Sequence, residues 1–584
     1  MGKTKNYKDQ EFRMSLRQNT QPEKILIEGD RKTAIETGRN RLIVAGALFS
    51  AAFLVIGIRV VDVSIFSSHL EPRFTRSITK SEKYSGRADI VDRNGVLLAT
   101  SLNTASLYAN PRLVLDPEQA ALRLSGALPD INIKMIENKL RGDRGFVWLR
   151  RHLTPRQQFA VNRLGIPALN FQREARRMYP LGQLGSHVLG FTDIDNKGLA
   201  GVERYFDKEL RSRQNSLALS LDVRVQHILE NELMAAMEKF DAIGAAGLVM
   251  NVDTGEIIGM ASLPSFDPNQ SGIIEGKLRF NRTTQGVYEM GSTFKIFTTA
   301  MAFDAGTATM RSSYDATNPI RIARFTIRDF RAKNRWLSVP EIFLYSSNIG
   351  SVKMALDVGI KGHRRFLSQL GMLKPVGIEL LETGAPLSPE RWREINSMTI
   401  SYGHGLAVSP LHLVAGVSAI VNGGIYRSPT LLRHELGEPV VGKRIISPET
   451  SKNMRHLMRL VVENGTGRNA AAPGYFVGGK TGTAEKVSDR KYKRKALISS
   501  FVAAFPMQKP KYALLAMLDE PKGTKETLGQ ATGGWVAAPI IGSIVKRIAP
   551  ILGFRAYRGG SGKQKTLSAK VTEETGQGQQ VAAH

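Results

Sequence analysis

Between residues 42 and 58 the chain reads LIVAGALFSAAFLVIGI, an apolar run without a charge. At about 1.5 Å per residue a helix there spans roughly 25 Å, or roughly 30 Å if it continues to Val61, the depth of a bilayer's hydrocarbon core. Its all-round apolar surface favours a membrane span over a core helix, and Arg59 can snorkel to the headgroups at one end. The run begins beyond residue 40, is long, and lacks a small-x-small exit, all of which argue against a cleavable signal peptide. Arg31, Lys32, Arg39 and Arg41 precede it, with Glu36 as the only acid between residues 31 and 41. The positive-inside rule then expects a cytoplasmic N-terminus, with everything after Val61 outside. No second run of comparable length follows.

After the run the patterning becomes that of folded modules. Residues 86–99, GRADIVDRNGVLLA, predict two short strands around an Asn94-Gly95 turn. Residues 117–124, 131–140 and 155–164 carry helix-like spacing, and two Gly-containing segments follow at 185–191 and 198–203. The charged cluster of Arg173, Glu174, Arg176 and Arg177 reads as a solvated face. No convergent acid–base set stands out before residue 216, so spacing and binding are the expected tasks of this stretch.

From Ser216 onward the texture is strongly apolar. Residues 248–252 and 256–260 flank Asp253-Thr254-Gly255 as strand, turn, strand, and residues 498–505 and 512–518 form a second pair joined through Pro506 and Pro510. Between the pairs lies a long, mostly helical block, and a helix over 535–552 closes the domain. Strands at both ends of a helical insertion predict one sheet assembled from the two ends, with helices beside it. Residues beyond Gly553 are rich in Gly, Ser, Gln, Lys and Glu, a composition expected to be disordered.

Composition narrows the classes. A chain of 584 residues calls for two or three domains, and 42% apolar residues with 55 Gly and 25 Pro belong to a globular protein. The formal charge of +29 favours anionic partners, but the basic residues are spread without a stacking platform or nucleic-acid module, so nucleic acid is not expected. There is no cysteine, which excludes disulfides and thiolate metal sites, and the ten histidines show no metal-ligand spacing. No metal and no cofactor are expected.

The candidate chemistry sits in residues 288–295, YEMGSTFK. If Ser292 opens a helix, Lys295 lies three residues on along the same face, and the positive helix end favours an alkoxide-like oxygen. That suits a serine nucleophile with a lysine base. Ser77…Lys80, Ser488…Lys491 and Ser543…Lys546 share the spacing, so the pattern alone is weak. Order strengthens it. Ser346-Ser347-Asn348 begins 54 residues later, after an apolar segment at 339–344, although Ser101-Leu102-Asn103 and Ser451-Lys452-Asn453 match the same pattern. Lys480-Thr481-Gly482-Thr483 follows a further 134 on, and Lys-Thr-Gly occurs once. As an edge strand it would offer backbone groups to an extended substrate, with Gly482 allowing close approach of another chain. Serine β-lactamases and penicillin-binding proteins carry such a set.

With these motifs the chain resembles a class B penicillin-binding protein, a monofunctional D,D-transpeptidase of the division type. The resemblance runs from the apolar helix through residues 86–99 and 198–203 to about residue 552, and includes Ser401-Tyr402-Gly403-His404-Gly405-Leu406. Ser-Ser-Asn and Gly-x-Gly-Leu favour the division branch over the elongation branch. Met290 stands where the family usually has proline, and His404 fills a variable slot expected to be structural.

The resemblance implies an α+β architecture: a serine β-lactamase-like transpeptidase domain with an antiparallel sheet flanked by helices, on an elongated pedestal and a single transmembrane helix. The expected division is 1–41 cytoplasmic basic tail, 42–61 signal anchor, 62–216 dimerisation-type pedestal, 217–552 transpeptidase and 553–584 disordered tail. It implies that Ser292 attacks the penultimate D-alanyl carbonyl of a stem pentapeptide, with release of D-alanine. Lys295 would take the serine proton, Ser346 relay one to the leaving amine, and Asn348 hold the substrate amide and Lys295. Backbone N–H groups of Ser292 and Thr483 would form the oxyanion hole, while Thr481 and Thr483, with Lys480 behind them, bind the terminal carboxylate. Strict strand alternation puts Lys480 and Thr481 on opposite faces, so only an edge facing a cleft lets both serve. Implied partners are stem peptides and lipid-linked nascent glycan, β-lactams as inhibitors, and a division-machinery glycosyltransferase with other divisome membrane proteins. The implied location is the inner membrane, single-pass, with a periplasmic catalytic domain. A β-lactamase would need a Glu-x-x-Leu-Asn water-positioning segment between the second and third motifs, and none is present. The pedestal is short and shows no acid pair for a glycosyltransferase, and the intact Ser292, Lys295 and Lys480 argue against an inert scaffold.

Overall fold

A computed structural model describes residues 30–61, 86–212, 215–322, 325–435, 437–488 and 491–557. The expected cytoplasmic tail before residue 30, the tail after residue 557 and the Ser77…Lys80 match lie outside the described residues. Residues 1–83 and 84–584 are two separate bodies. In the first, a 32-residue helix α1 (Asp30–Val61) carries the apolar run and extends ahead of it through the basic flank. Residues 37–58 are exposed throughout, as a lipid-facing surface would be.

In the second body, residues 86–99 form the expected hairpin. Ile90–Val91 pairs antiparallel with the start of β1 (Leu97–Ala109). Asp92 closes the turn by accepting the backbone N–H groups of Asn94 and Val96, and its other oxygen accepts that of Val223, at the head of the next domain's first helix. The long β1 also pairs antiparallel with β2 (Val147–Leu153) and β3 (Leu169–Met178). Helices Pro117–Ala127, Ile133–Leu140 and Pro155–Asn162 appear where the spacing predicts them, each opened by a side-chain cap from Asp116, Asn132 and Thr154.

The charged cluster on β3 departs from expectation. Arg173 is exposed, but Arg177 is 5% exposed and Glu203 is fully buried. Glu203 accepts Arg177 Nε at 2.6 Å and Arg87 Nε at 2.8 Å, so one carboxylate holds two guanidinium groups and ties residues 86–99 to 198–203. Buried charge needs such pairing, because an isolated ion in the interior costs several kcal/mol. Glu203→Gln is expected to destabilise the protein by about 3–5 kcal/mol, read in urea unfolding, since it leaves buried Arg177 without a counter-charge and Arg87 with Asp207 alone.

The catalytic half is built on a five-stranded antiparallel sheet, in which β4 (Gly244–Asn251) and β5 (Ile257–Leu263) come from one end of the domain. Strands β6 (Gly478–Ser488), β7 (Lys491–Phe505) and β8 (Tyr512–Asp519) come from the other, in the order β6-β7-β8-β4-β5. The predicted strand pairs and their joining through β8 and β4 are thus present. Period-two alternation sets the faces. Ala246, Leu248 and Met250 turn toward the helical insertion, while Ala245 and Val249 pack on α2 (Val223–Lys239) and the closing helix Ala537–Ile551. Each fully buried Leu or Val on these faces contributes about 1.5–3 kcal/mol. The architecture is the α+β one expected, with β6 at the sheet edge.

Candidate active site

Ser292 lies in a 3₁₀ turn, Gly291–Phe294, that runs into α3 (Lys295–Asp304). Ile296, Phe297, Ala300 and Met301 bury that helix in the core, which fixes the turn in place. Lys295 Nζ sits 2.8 Å from Ser292 Oγ, and Lys295 itself is 1% exposed. The backbone approach at this turn is close enough to require glycine. Gly291 has φ +53, a β-carbon on it would meet the Thr483 carbonyl oxygen at 2.5 Å, and its N–H donates to Gly403 at 3.1 Å. Thr298 donates to the Ser401 carbonyl, and Gly405 N–H to Glu289. The Ser401–Leu406 motif therefore supports the serine turn from below.

The second motif arrives on a helix junction. Helix α4 (Val339–Tyr345) ends at Ser346, which caps it in the left-handed region at φ +62, and α5 (Asn348–Gln369) begins two residues on. A non-glycine residue there costs about 1–3 kcal/mol. The conformation turns both the Ser346 carbonyl and its hydroxyl toward Lys295 Nζ, at 2.9 and 3.1 Å. Asn348 Oδ1 accepts from the same nitrogen at 2.7 Å, and its Nδ2 donates to the Arg328 carbonyl, which fixes the amide's orientation.

From the sheet edge, Lys480 Nζ reaches Ser346 Oγ at 3.0 Å, so this hydroxyl bridges two amines. Alternation does not separate Lys480 from Thr481 at the cleft, because Thr481 Oγ1 lies 3.5 Å from Lys480 Nζ and 2.9 Å from Thr466 Oγ1. Thr483 Oγ1 accepts the Gly533 N–H at 3.0 Å. Gly482 is a point of close approach, and the segment that approaches it belongs to the protein itself. A β-carbon there would strike Ser500 Oγ at 2.4 Å and the Met290 carbonyl at 2.7 Å, so its smallness admits the protein's own serine turn.

Burial dominates the electrostatics. It pushes the Lys295 amine well below its ordinary 10.5, the charge of Lys480 pushes it further, and Asp329 opposes. Burial alone lowers Lys480 to about 7. His404 is lowered to about 4, by burial first and then by Lys295, and its ring stands 5.3 Å from that of Tyr402.

Asp329 is a residue of the site that sequence reasoning missed. Its carboxylate accepts Ser347 Oγ and the N–H groups of Asn348 and Ile349, at 2.7, 2.6 and 3.0 Å, and so caps α5 from a loop 19 residues away from Asn348. No local spacing marks such a residue. Among the chance matches, Ser543…Lys546 lies on the closing helix with Lys546 exposed to solvent, far from the enclosure that Lys295 has.

A serine hydroxyl against a buried lysine amine, on an antiparallel sheet flanked by helices, defines a serine acyl-transferase class. Comparison with known proteins gives the family. Residues 245–546 match the penicillin binding protein transpeptidase domain, and residues 82–233 the penicillin-binding protein dimerisation domain. The chain is 43% identical over 483 residues to the probable peptidoglycan D,D-transpeptidase FtsI of Caulobacter vibrioides, covering 80% of this chain and 82% of that one. It is 31% identical over 506 residues to the peptidoglycan D,D-transpeptidase FtsI of Escherichia coli K12, covering 80% and 84%. The transpeptidase domain of Burkholderia pseudomallei penicillin-binding protein 3 superposes with a TM-score of 0.53 at 32% identity, over 58% of this chain and 98% of that domain. The chain belongs to the class B penicillin-binding proteins, with dimerisation and transpeptidase domains. It is a penicillin-binding serine transpeptidase, and its apolar helix α1 fits a single-pass inner-membrane protein.

Proposed function

We propose that this chain crosslinks peptidoglycan stem peptides at the division septum, as a D,D-transpeptidase working through an acyl-enzyme on Ser292. The observation that carries the site assignment is the set of partners around Lys295 Nζ. A neutral amine has two N–H donors and one lone pair. The Ser346 carbonyl and Asn348 Oδ1 can only accept, so they take both donors, and the lone pair is left for the Ser292 hydroxyl proton. Burial beside a second lysine favours that neutral form.

In this mechanism Ser292 Oγ attacks the penultimate D-alanyl carbonyl as its proton passes to Lys295. Ser346, between the two amines, relays a proton to the departing D-alanine nitrogen. Asn348 holds Lys295 and the substrate amide. The N–H groups of Ser292 and Thr483 stabilise the oxyanion, each such donor contributing about 3–4 kcal/mol to the barrier. Thr481 and Thr483, backed by the Lys480 charge, take the terminal carboxylate, and Gly482 keeps β6 against the serine turn. The acyl group then passes to the amine of a neighbouring stem peptide on lipid-linked nascent glycan. β-Lactams occupy the same serine.

For the whole chain we propose a cytoplasmic tail over 1–41, an anchor over 42–61, a pedestal over 62–216, the transpeptidase over 217–552 and a tail beyond. The basic residues ahead of the anchor support a cytoplasmic N-terminus and a periplasmic catalytic domain. A glycosyltransferase of the division machinery, with other divisome membrane proteins, is the proposed partner of the anchor and pedestal.

Fluorescent penicillin should remain covalently attached to the purified protein for many minutes. Rapid release of hydrolysed drug would replace the transpeptidase reading with that of a hydrolase. Deletion of residues 62–216 with the anchor kept should abolish septal recruitment or activation of the glycosyltransferase, and normal recruitment and activation would remove the pedestal assignment.

A further inference from the structure

Well outside the serine site, a cavity of about 480 Å³ opens at the seam between the pedestal and the transpeptidase half. Its pedestal walls are Arg150 and Arg151 on β2 and Arg176 and Arg177 on β3. Its far wall is the 3₁₀ segment Pro268–Ile273 of the catalytic half. The two halves are pinned beside it, because Tyr179 N–H donates to Asn269 Oδ1 and Asn269 Nδ2 donates to the Tyr179 carbonyl, both at 3.0 Å. Among the described residues Asp193 is the only acid in the lining, and one of its oxygens already accepts the N–H groups of Asp195 and Lys197.

The arginines are unequally satisfied. Arg151 is paired with Glu174 and Asp195, and Arg150 with Asp130. Arg176 has no hydrogen-bond or carboxylate partner for its side chain among the described residues. Arg177 is closed off: it is 5% exposed, shares the Glu203 carboxylate with Arg87, and its guanidinium lies out of reach of anything in the cavity. A guanidinium fork without a counter-charge at the wall of a polar cavity, with Arg150 and Arg151 beside it, suits an oxyanion. Asn196, Asn269, Thr192 and Ser271 supply neutral polar groups around the same space.

We propose that this cavity binds a small oxyanion, a phosphate- or carboxylate-bearing group that takes up the free donors of Arg176. The site uses no group of the acyl-transfer centre and does not rest on that assignment. Because its walls come from both halves, an occupant braces the seam between pedestal and catalytic part.

Isothermal titration of the full chain in detergent with pyrophosphate, and separately with citrate, tests this. Saturable one-to-one binding of at least one probe is expected, weakened tenfold or more by Arg176→Gln, whose side chain supports no other group. Arg112→Gln, a surface arginine elsewhere on the pedestal, and Lys480→Met, in the serine cleft, should leave the affinity unchanged. Tighter pyrophosphate identifies a phosphate source, and tighter citrate a carboxylate source. No saturable binding of either probe to the wild type overturns the proposal. So does an equal loss in Arg112→Gln, which would mean general charge attraction, or a loss in Lys480→Met, which would place the anion in the cleft.

Discussion

Ser292→Ala is expected to remove covalent labelling by fluorescent penicillin entirely, while the protein keeps its fold. Ser292 is a small, partly exposed residue at the head of α3, and its hydroxyl has Lys295 as its partner. Removing it leaves the amine held by Ser346 and Asn348, so the surrounding packing is unchanged. The loss falls on chemistry alone. The acylation rate should drop by roughly 10⁴-fold or more, which corresponds to more than about 5 kcal/mol of barrier. Stopped-flow acylation with a chromogenic penicillin gives the rate, and a thermal melt checks the fold. A folded Ser292→Ala protein that still takes the label would move the nucleophile elsewhere.

Lys295→Met should cost roughly 10³-fold in the same rate, within the range for loss of a positioned general base. Its sharper signature is in the pH profile. Lys295 acts as base only when neutral, and its amine is held well below 10.5, so the acylation rate of the wild type rises as pH climbs through that lowered value. Lys480 works in the opposite sense. Its charge attracts the substrate carboxylate, and burial brings its loss of a proton down to about 7, so the rate falls again above that pH. The expected profile is a bell with Lys295 on its rising limb and Lys480 on its falling limb. Lys295→Met should flatten the rising limb. Lys480→Arg, whose guanidinium stays charged, should lower the rate but remove the falling limb. A rising limb that survives intact in Lys295→Met would show that another group takes the serine proton.

Both predictions concern residues that were visible in the primary structure, because local spacing and order mark them. Three residues along one helical turn bring Ser292 and Lys295 together without help from the rest of the chain. The strand pairs at 248–260 and 498–518 announce themselves by apolar composition around turn residues, and the sheet's assembly from two ends follows from the helical block between them. The apolar run over 42–58 is equally local, since length and lack of charge are the whole of its signal.

What escaped sequence reasoning depends on contacts distant along the chain. Asp329 holds the second motif from a separate loop, and only folding brings its carboxylate to the start of α5. Ser346 performs its double contact because a left-handed cap redirects it, and nothing in Ser-Ser-Asn specifies that angle. Arg177 looks like its exposed neighbour Arg173 in the sequence, yet Glu203, 26 residues further on, draws it into the interior. Gly482 is legible as a place of close approach, but that the approaching chain is Met290 is a tertiary fact.

The chain's own pattern thus determined the elements, the anchor and the three motifs, since each is written in side chains a few residues apart. Tertiary structure decided the state of the groups those motifs carry. Desolvation and the Lys295–Lys480 pairing arise only when β6 is laid against α3, and burial is a property of the assembled core that no spacing encodes.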